Sequence, residues 1–249
     1  MDTRALLRAV EHRPYPLPAG PWIMTQIWHE VLFAHWPLAP SVLRPLVPDG
    51  LELDTFEGQS WLCLVPFRMT HVSPRGIPPL PGLSQFPEMN VRTYVIVNGI
   101  PGVYFFSLDA GSALAVALAR QFFHLPYFHA RMRSVKVGES IEYESHRIRP
   151  AAPEAQFVAR YRPLSPIAPA QRVPRDSWLT ERYCLYTLGR HEQLYRGDIH
   201  HRPWPLQRAE LTISSNSMAL AQNIHLPEQP PLLHYAQRQE VLIWPLRRV

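Results

Sequence analysis

The run VRTYVIVNGIPGVYFFSLD, residues 91–109, decides the fold. Two β-branched and aromatic segments flank Asn98-Gly99, a dipeptide that closes tight hairpins because both residues tolerate positive φ. Pro101 has no N–H to give a ladder, so the spacing predicts a four-residue loop, 98–101, with Val97 opposite Gly102. That register sets Asn90 opposite Asp109 and Arg92 opposite Ser107. Glu88, Asn90 and Arg92 alternate with Met89, Val91 and Thr93, and period-two geometry puts each trio on its own strand face. Turned inward, the polar face needs partners or a ligand, because unpaired buried charge is costly. Turned outward, it is a solvated surface.

Downstream, SALAVALARQFF (112–123) predicts a helix with Ser112 as N-cap, ending before Pro126. It is apolar nearly all round, the mark of a buried helix. Its one charge, Arg120, would then need Asp109 or Glu88 as partner, either in a core ion pair or as part of an anion site. A second hairpin, 129–137 and 140–148, turns at Gly138-Glu139. Upstream, residues 2–11 suit a short helix, 23–34, 51–56 and 60–69 suit strands, and 41–48 a helical turn. The proline-rich stretches 71–87 and 149–175 are expected to be loops, the second holding a strand at 156–162. Residues 176–188 start as a helix and pass into a strand, and strands follow near 193–200, 206–213 and 241–245. Strands around one central helix point to a mainly β (α+β) fold, a curled antiparallel or mixed β-barrel with one buried helix and a few short ones.

Composition agrees. Prolines number 28 in 249 residues, about twice the usual share, and they are spread between apolar segments. Proline falls in turns and at element ends, which favours short strands joined by rigid loops over a helical bundle. Charged residues are 18% and hydrophobic ones 46%, enough for a sizeable core. One domain over 1–249 is expected, with 1–22 as an N-terminal extension. Net charge is +5, and Lys136 is the single lysine among 25 basic residues. The arginines are scattered rather than gathered on one element, which argues against a nucleic-acid partner. No apolar run is long enough for a membrane span, and the charged N-terminus lacks a signal-peptide core, so a soluble, cytoplasmic protein is expected.

Two further clusters are ERYCLY (181–186) and DIHHRPWP (198–205). Glu181, Arg182 and His201 are candidate binding residues, since histidine titrates near neutrality and a guanidinium matches a carboxylate. His200 and His201 are adjacent and would point to opposite strand faces. No third ligand stands at a metal-like spacing, so a structural role is as natural as a chemical one, and no metal or other cofactor is expected. Cys63 and Cys184 sit far apart in apolar runs, without a CxxC pair. There is no GxSxG, HExxH or glycine-rich phosphate loop.

Longer motifs carry a resemblance. FAHWPLAPSVLRPLVPDGLELDTFEGQSWL, VPFRM, FPEMNVRTYV, PGVYFFSLDA, AR-x4-LPYFHARM, LTERYCLY and HHRPWPLQ resemble the YqjF-like family, domain of unknown function 2071, from about residue 25 onward. The middle third more distantly resembles acetoacetate decarboxylase, whose pattern runs from a glutamate strand through an aspartate-ended hairpin and an arginine-ended helix to a lysine pair. Glu88, Asp109 and Arg120 fall at similar places. Tyr127 and Phe128 stand where the lysine pair would be, and tyrosine cannot form the Schiff base that such a lysine forms. Lys136, nine residues later beside a turn, is expected to be solvated. The resemblance implies a pocket for a small, anionic carbonyl or carboxylate compound. In it Glu88 would act as acid or base and Tyr127 as hydrogen-bond donor. Asn90, Arg92, Asp109, Arg120, Glu181, Arg182 and His201 would bind the ligand. The alternative is a non-enzymatic sensing or assembly domain with a filled interior, and homo-oligomerisation is left open.

Overall fold

The structure is a computed structural model that describes residues 1–80, 84–148, 153–170 and 173–249. Residues 81–83, 149–152 and 171–172, parts of the two proline-rich stretches, lie outside the described residues. Among the described residues there are fourteen strands. They are β1 (Met24–Leu38), β2 (Glu52–Leu53), β3 (Ser60–Pro74), β4 (Phe86–Val97), β5 (Ile100–Ala110), β6 (Tyr127–Val137), β7 (Ser140–Arg147), β8 (Gln156–Pro163), β9 (Ala168–Pro169), β10 (Cys184–Leu188), β11 (Leu194–His200), β12 (Pro205–Asn216), β13 (Leu232–Ile243) and β14 (Arg247–Arg248). Four short α-helices accompany them: α1 (Thr3–Arg8), α2 (Pro40–Leu43), α3 (Ala113–Phe123) and α4 (Pro174–Thr180).

The sheet is mixed and curls until its pairings return on themselves. One circuit runs β1–β3–β4–β5–β10–β11–β13 and back to β1; a second leaves β5 through β6, β7, β8 and β12 to reach β13. Pairs β5–β6 and β5–β10 are parallel, and the remaining pairs of both circuits are antiparallel. Strands β1, β3 and β4 belong to both circuits and are therefore buried on both faces. Val31 and Phe33 of β1, with Cys63, Val65 and Phe67 of β3, face one interior. Leu32, Ala34 and Trp36, with Leu62, Leu64, Met89 and Val91, face the other, where Tyr143, Phe157 and Tyr161 meet them. A strand with two dry faces reads as a near-continuous apolar run, as β1 and β3 do.

The decisive hairpin forms, but with a tighter turn than the sequence suggested. Asn98 and Gly99 have φ of 52° and 75°, the two-residue arrangement with Val97 opposite Ile100. Pro101 then faces Ile96 at a non-hydrogen-bonded pair, where its missing N–H costs the β4 ladder nothing. A bulge follows, leaving Phe106 as the extra residue between Val91↔Ser107 and Arg92↔Phe105. As a result Asn90 stands opposite Leu108 and Met89 opposite Asp109. The expected pairings of Asn90 with Asp109 and Arg92 with Ser107 are corrected accordingly. Asp109 falls on the face opposite to Glu88, because a one-residue slip reverses every side chain beyond it.

The expectation of a central, buried helix is also corrected. The Ser112 hydroxyl does cap α3, accepting from the Ala115 N–H at 3.3 Å. Yet among its residues only Val116 is buried, and Leu114, Leu118, Phe122 and Arg120 are exposed. The helix lies at the edge of the curled sheet. Its apolar perimeter mimics a core helix because one face borders a cavity rather than packed side chains.

Candidate functional site

The interior of the first circuit is not filled. A cavity of about 370 Å³ is lined by β1, β3, β4 and β5 and closed at one side by α3. Glu88, Asn90 and Arg92 all line it, so the polar face of β4 looks inward. Phe33, Phe67, Phe105, Leu108, Leu125 and Trp204 supply much of the remaining wall.

Glu88 is 4% exposed, and its Oε2 accepts a hydrogen bond from the Tyr127 hydroxyl at 2.8 Å. No cation pairs with it among the described residues. Burial destabilises the carboxylate and pushes its pKa up to about 8; the Tyr127 bond opposes this and the nearby Asp109 charge adds to it. Glu88 is therefore mostly a neutral acid at pH 7. Tyr127 also lines the cavity, and burial raises its phenol further above the ordinary value, so it remains a donor.

Arg92 is 9% exposed and stacks its guanidinium over the Phe33 ring, 5.4 Å from the centroid. Its Nε and the Asn90 Oδ1 are buried without hydrogen-bond partners among the described residues. The other two deeply buried arginines beside this region are compensated. Arg147 clasps Asp109 with two bonds of 2.6 and 3.1 Å, and Arg182 donates to Asp54 at 2.6 Å. No such carboxylate stands within ion-pair distance of Arg92 among the described residues.

Arg182 lines the cavity, with its guanidinium over Tyr94 and Trp178 and its Nη2 lacking a described partner. His201 lines it too. Burial pushes its pKa down to about 3, so it is neutral; Nδ1 lies 2.7 Å from the Arg202 carbonyl oxygen, and the ring stacks on Tyr183. Among the described residues no group of three or more metal-ligating side chains comes together.

Three residues named from the sequence are placed elsewhere. Asp109 is sealed in its ion pair with Arg147, a partner that sequence reasoning missed, instead of meeting Arg120. Arg120 is exposed and borders a separate, more open depression with His124 and Arg190. Glu181 does not line the cavity; it accepts hydrogen bonds from the Tyr183 hydroxyl and from the Trp204 N–H at 2.8 Å, and burial raises its pKa. Lys136 is exposed near the end of β6, opposite Ile141. Arg147 carried no local signal, since it closes an alternating strand like any surface arginine. Asp54 was equally silent within its short apolar run.

Comparison with known proteins fits this architecture. Residues 25–240 match the model of the family DUF2071, described as an uncharacterized conserved protein, and the chain belongs to that family. The chain is 55% identical over 232 residues to the "Uncharacterized protein YqjF" of Bacillus subtilis (strain 168), covering 93% of this chain and 95% of that one. Among solved structures, the enduracididine biosynthesis enzyme MppR complexed with pyruvate superposes with a TM-score of 0.62 at 12% identity, over 94% of this chain and 93% of that chain. Acetoacetate decarboxylase from Legionella pneumophila superposes with a TM-score of 0.60 at 14% identity, over 98% and 95%. At such identities the likeness is one of fold.

Proposed function

We propose that this chain binds a small organic carboxylate bearing a carbonyl group, and performs acid–base chemistry on it without a covalent amine intermediate. The observation that carries this reading is Arg92, a buried guanidinium that borders a cavity and has no carboxylate partner among the described residues. With Glu88 neutral and Arg182 offset by Asp54, Arg92 leaves the cavity with one uncompensated positive charge. A buried, unpaired charge is costly, and an anionic ligand removes that cost. The planar fork of a guanidinium suits a carboxylate in particular.

The roles follow from position. Arg92 and Asn90 hold the carboxylate, with Arg182 and His201 also in the cavity wall. Neutral Glu88, kept in place by the Tyr127 hydroxyl, donates its proton to a carbonyl oxygen as negative charge develops there. A group whose pKa is about 8 can release and recover that proton near neutral pH. The only lysine lies outside this wall, so the iminium route of a Schiff-base decarboxylase has no nucleophile here. A fold neighbour complexed with pyruvate, a small oxo-carboxylate, agrees with the class of ligand. Asp109, Arg120 and Glu181 are left out of the binding set.

The test is a thermal-shift screen of 2-oxo and 3-oxo carboxylates beside their neutral ketone analogues, on wild type and Arg92→Met. Carboxylates should raise the wild-type melting temperature and leave Arg92→Met unmoved, while the ketones do little to either. Equal shifts for both proteins would remove Arg92 from the site.

A further inference from the structure

Resting on the carboxylate reading above, we infer that the ligand carries an apolar tail: the site takes medium-chain monocarboxylates, of about six to ten carbons, or their oxo derivatives. Three independent features of the cavity point there.

The first is the distribution of polarity along β4. Successive inward residues of a strand are about 6.6 Å apart, so Arg92 and Phe86 stand at opposite ends of a path of roughly 20 Å. The charged groups of the wall lie at Glu88 or toward the Arg92 end, where Asn90 also lines the cavity and the Arg182 guanidinium sits over Tyr94. Beyond Glu88 the wall carries no charge: Phe86, Met69 and Val72 line it, with Gln26 and the small hydroxyls of Ser73, Ser84 and Ser112 among them. A two- or three-carbon acid held at Arg92 would leave that half of the cavity unused.

The second is the mouth. Ile77 and Leu80, in the loop after β3, and Leu114 and Leu118, one turn apart on α3, all line the cavity and are each about half exposed, at 51, 51, 51 and 48%. Single exposed apolar side chains need no explanation, but four converging on one opening do. A tail leaving the cavity between them would cover all four.

The third is volume. The cavity of about 370 Å³ has room for about a dozen heavy atoms at ~30 Å³ each, the share of one water molecule in the liquid. Octanoate has ten and decanoate twelve. The geometry orders the ligand with its carboxylate innermost at Arg92, its middle carbons beside Glu88 and Tyr127, and its methyl end among the leucines of α3.

The experiment is calorimetric titration at pH 7 with straight-chain carboxylates from acetate to decanoate and the matching 1-alkanols. Proteins are wild type and Leu114→Ser/Leu118→Ser, a variant whose exposed positions leave folding intact. The dissociation constant of the carboxylates should fall about fourfold per added methylene between butanoate and octanoate, then level off. The double variant should flatten that slope while binding short acids as wild type does. Short acids that bind with no dependence on chain length would overturn the tail and leave the carboxylate reading standing. Alkanols that match the carboxylates in affinity and slope would keep the tail and overturn the carboxylate reading. Absence of binding by any member of either series would overturn both.

Discussion

Glu88→Gln isolates the physical oddity on which the site is built. The exchange is nearly isosteric, and the glutamine carbonyl can still accept the Tyr127 hydroxyl now bonded to Glu88 at 2.8 Å. It removes one property, the ability to ionise in a buried position. The folded pKa of Glu88 is about 8, against 4.5 for a free side chain. A raised carboxyl pKa means that the folded protein holds a proton which the unfolded chain gives up between those two values. Glu88 therefore costs nothing below about pH 4.5, and its penalty on folding grows as pH rises toward 8. At 1.36 kcal/mol per tenfold, the penalty is about 3 kcal/mol at pH 7 and about 5 kcal/mol at pH 9. That is a large share of the 5–15 kcal/mol by which folded domains are usually stable. The assay is urea unfolding of both proteins at one-unit steps from pH 4 to pH 9. All other titrations cancel in the difference between them. Glu88→Gln should match wild type near pH 4, gain on it through the neutral range, and hold a constant advantage above about pH 8. A difference independent of pH, or one that favours wild type as pH rises, would refute the reasoning.

Other consequences can be checked separately. Arg147→Met should destabilise the protein by about 3–5 kcal/mol in urea unfolding, because it strands Asp109 as a buried charge, and Asp109→Leu added to it should recover most of the loss. Gly102→Ala should cost about 1–3 kcal/mol by the same measurement, since the new Cβ would lie 2.7 Å from the Tyr186 ring and 2.8 Å from the Cys184 Sγ. Arg120→Ala should change stability by less than about 0.5 kcal/mol and leave the calorimetric affinity for carboxylates unaltered, as an exposed arginine outside the cavity wall. Carboxylate affinity in wild type should weaken about tenfold per pH unit above pH 8, as Glu88 ionises beside the bound anion, and Glu88→Gln should lose that dependence.

The parts of the fold that were legible were those written in local chemistry. Asn98-Gly99 named its hairpin, and the alternation of Glu88, Asn90 and Arg92 with Met89, Val91 and Thr93 separated the two faces of β4. Register was not legible, because it depends on the bulge at Phe106, which no residue type announces. The strand β13 was anticipated only at its end: LLHYAQRQEVLI alternates poorly, with Gln237 and Arg238 exposed, and it is held by pairing to β1, β11 and β12. The helix α3 misled for a physical reason. Apolar residues all round a helix signal contact with something apolar, and the apolar wall of a cavity satisfies that as a core does. The long-range partners, Arg147 for Asp109 and Asp54 for Arg182, are brought together by topology alone. Of the residues singled out in the sequence, Glu88, Asn90, Arg92, Tyr127, Arg182 and His201 line the cavity while Asp109, Arg120 and Glu181 do not, and which charges neutralise one another could be read only from the fold.

The central claim is that Arg92 is a buried cation awaiting an organic anion beside a protonated glutamate. A crystal structure of the protein soaked with a 3-oxo carboxylate tests it most directly. The carboxylate should lie within hydrogen-bond distance of the Arg92 guanidinium and the Asn90 side chain, with the ketone oxygen facing Glu88. A ligand found at the surface near Arg120, or a cavity holding the molecule with its carboxylate away from Arg92, would contradict it.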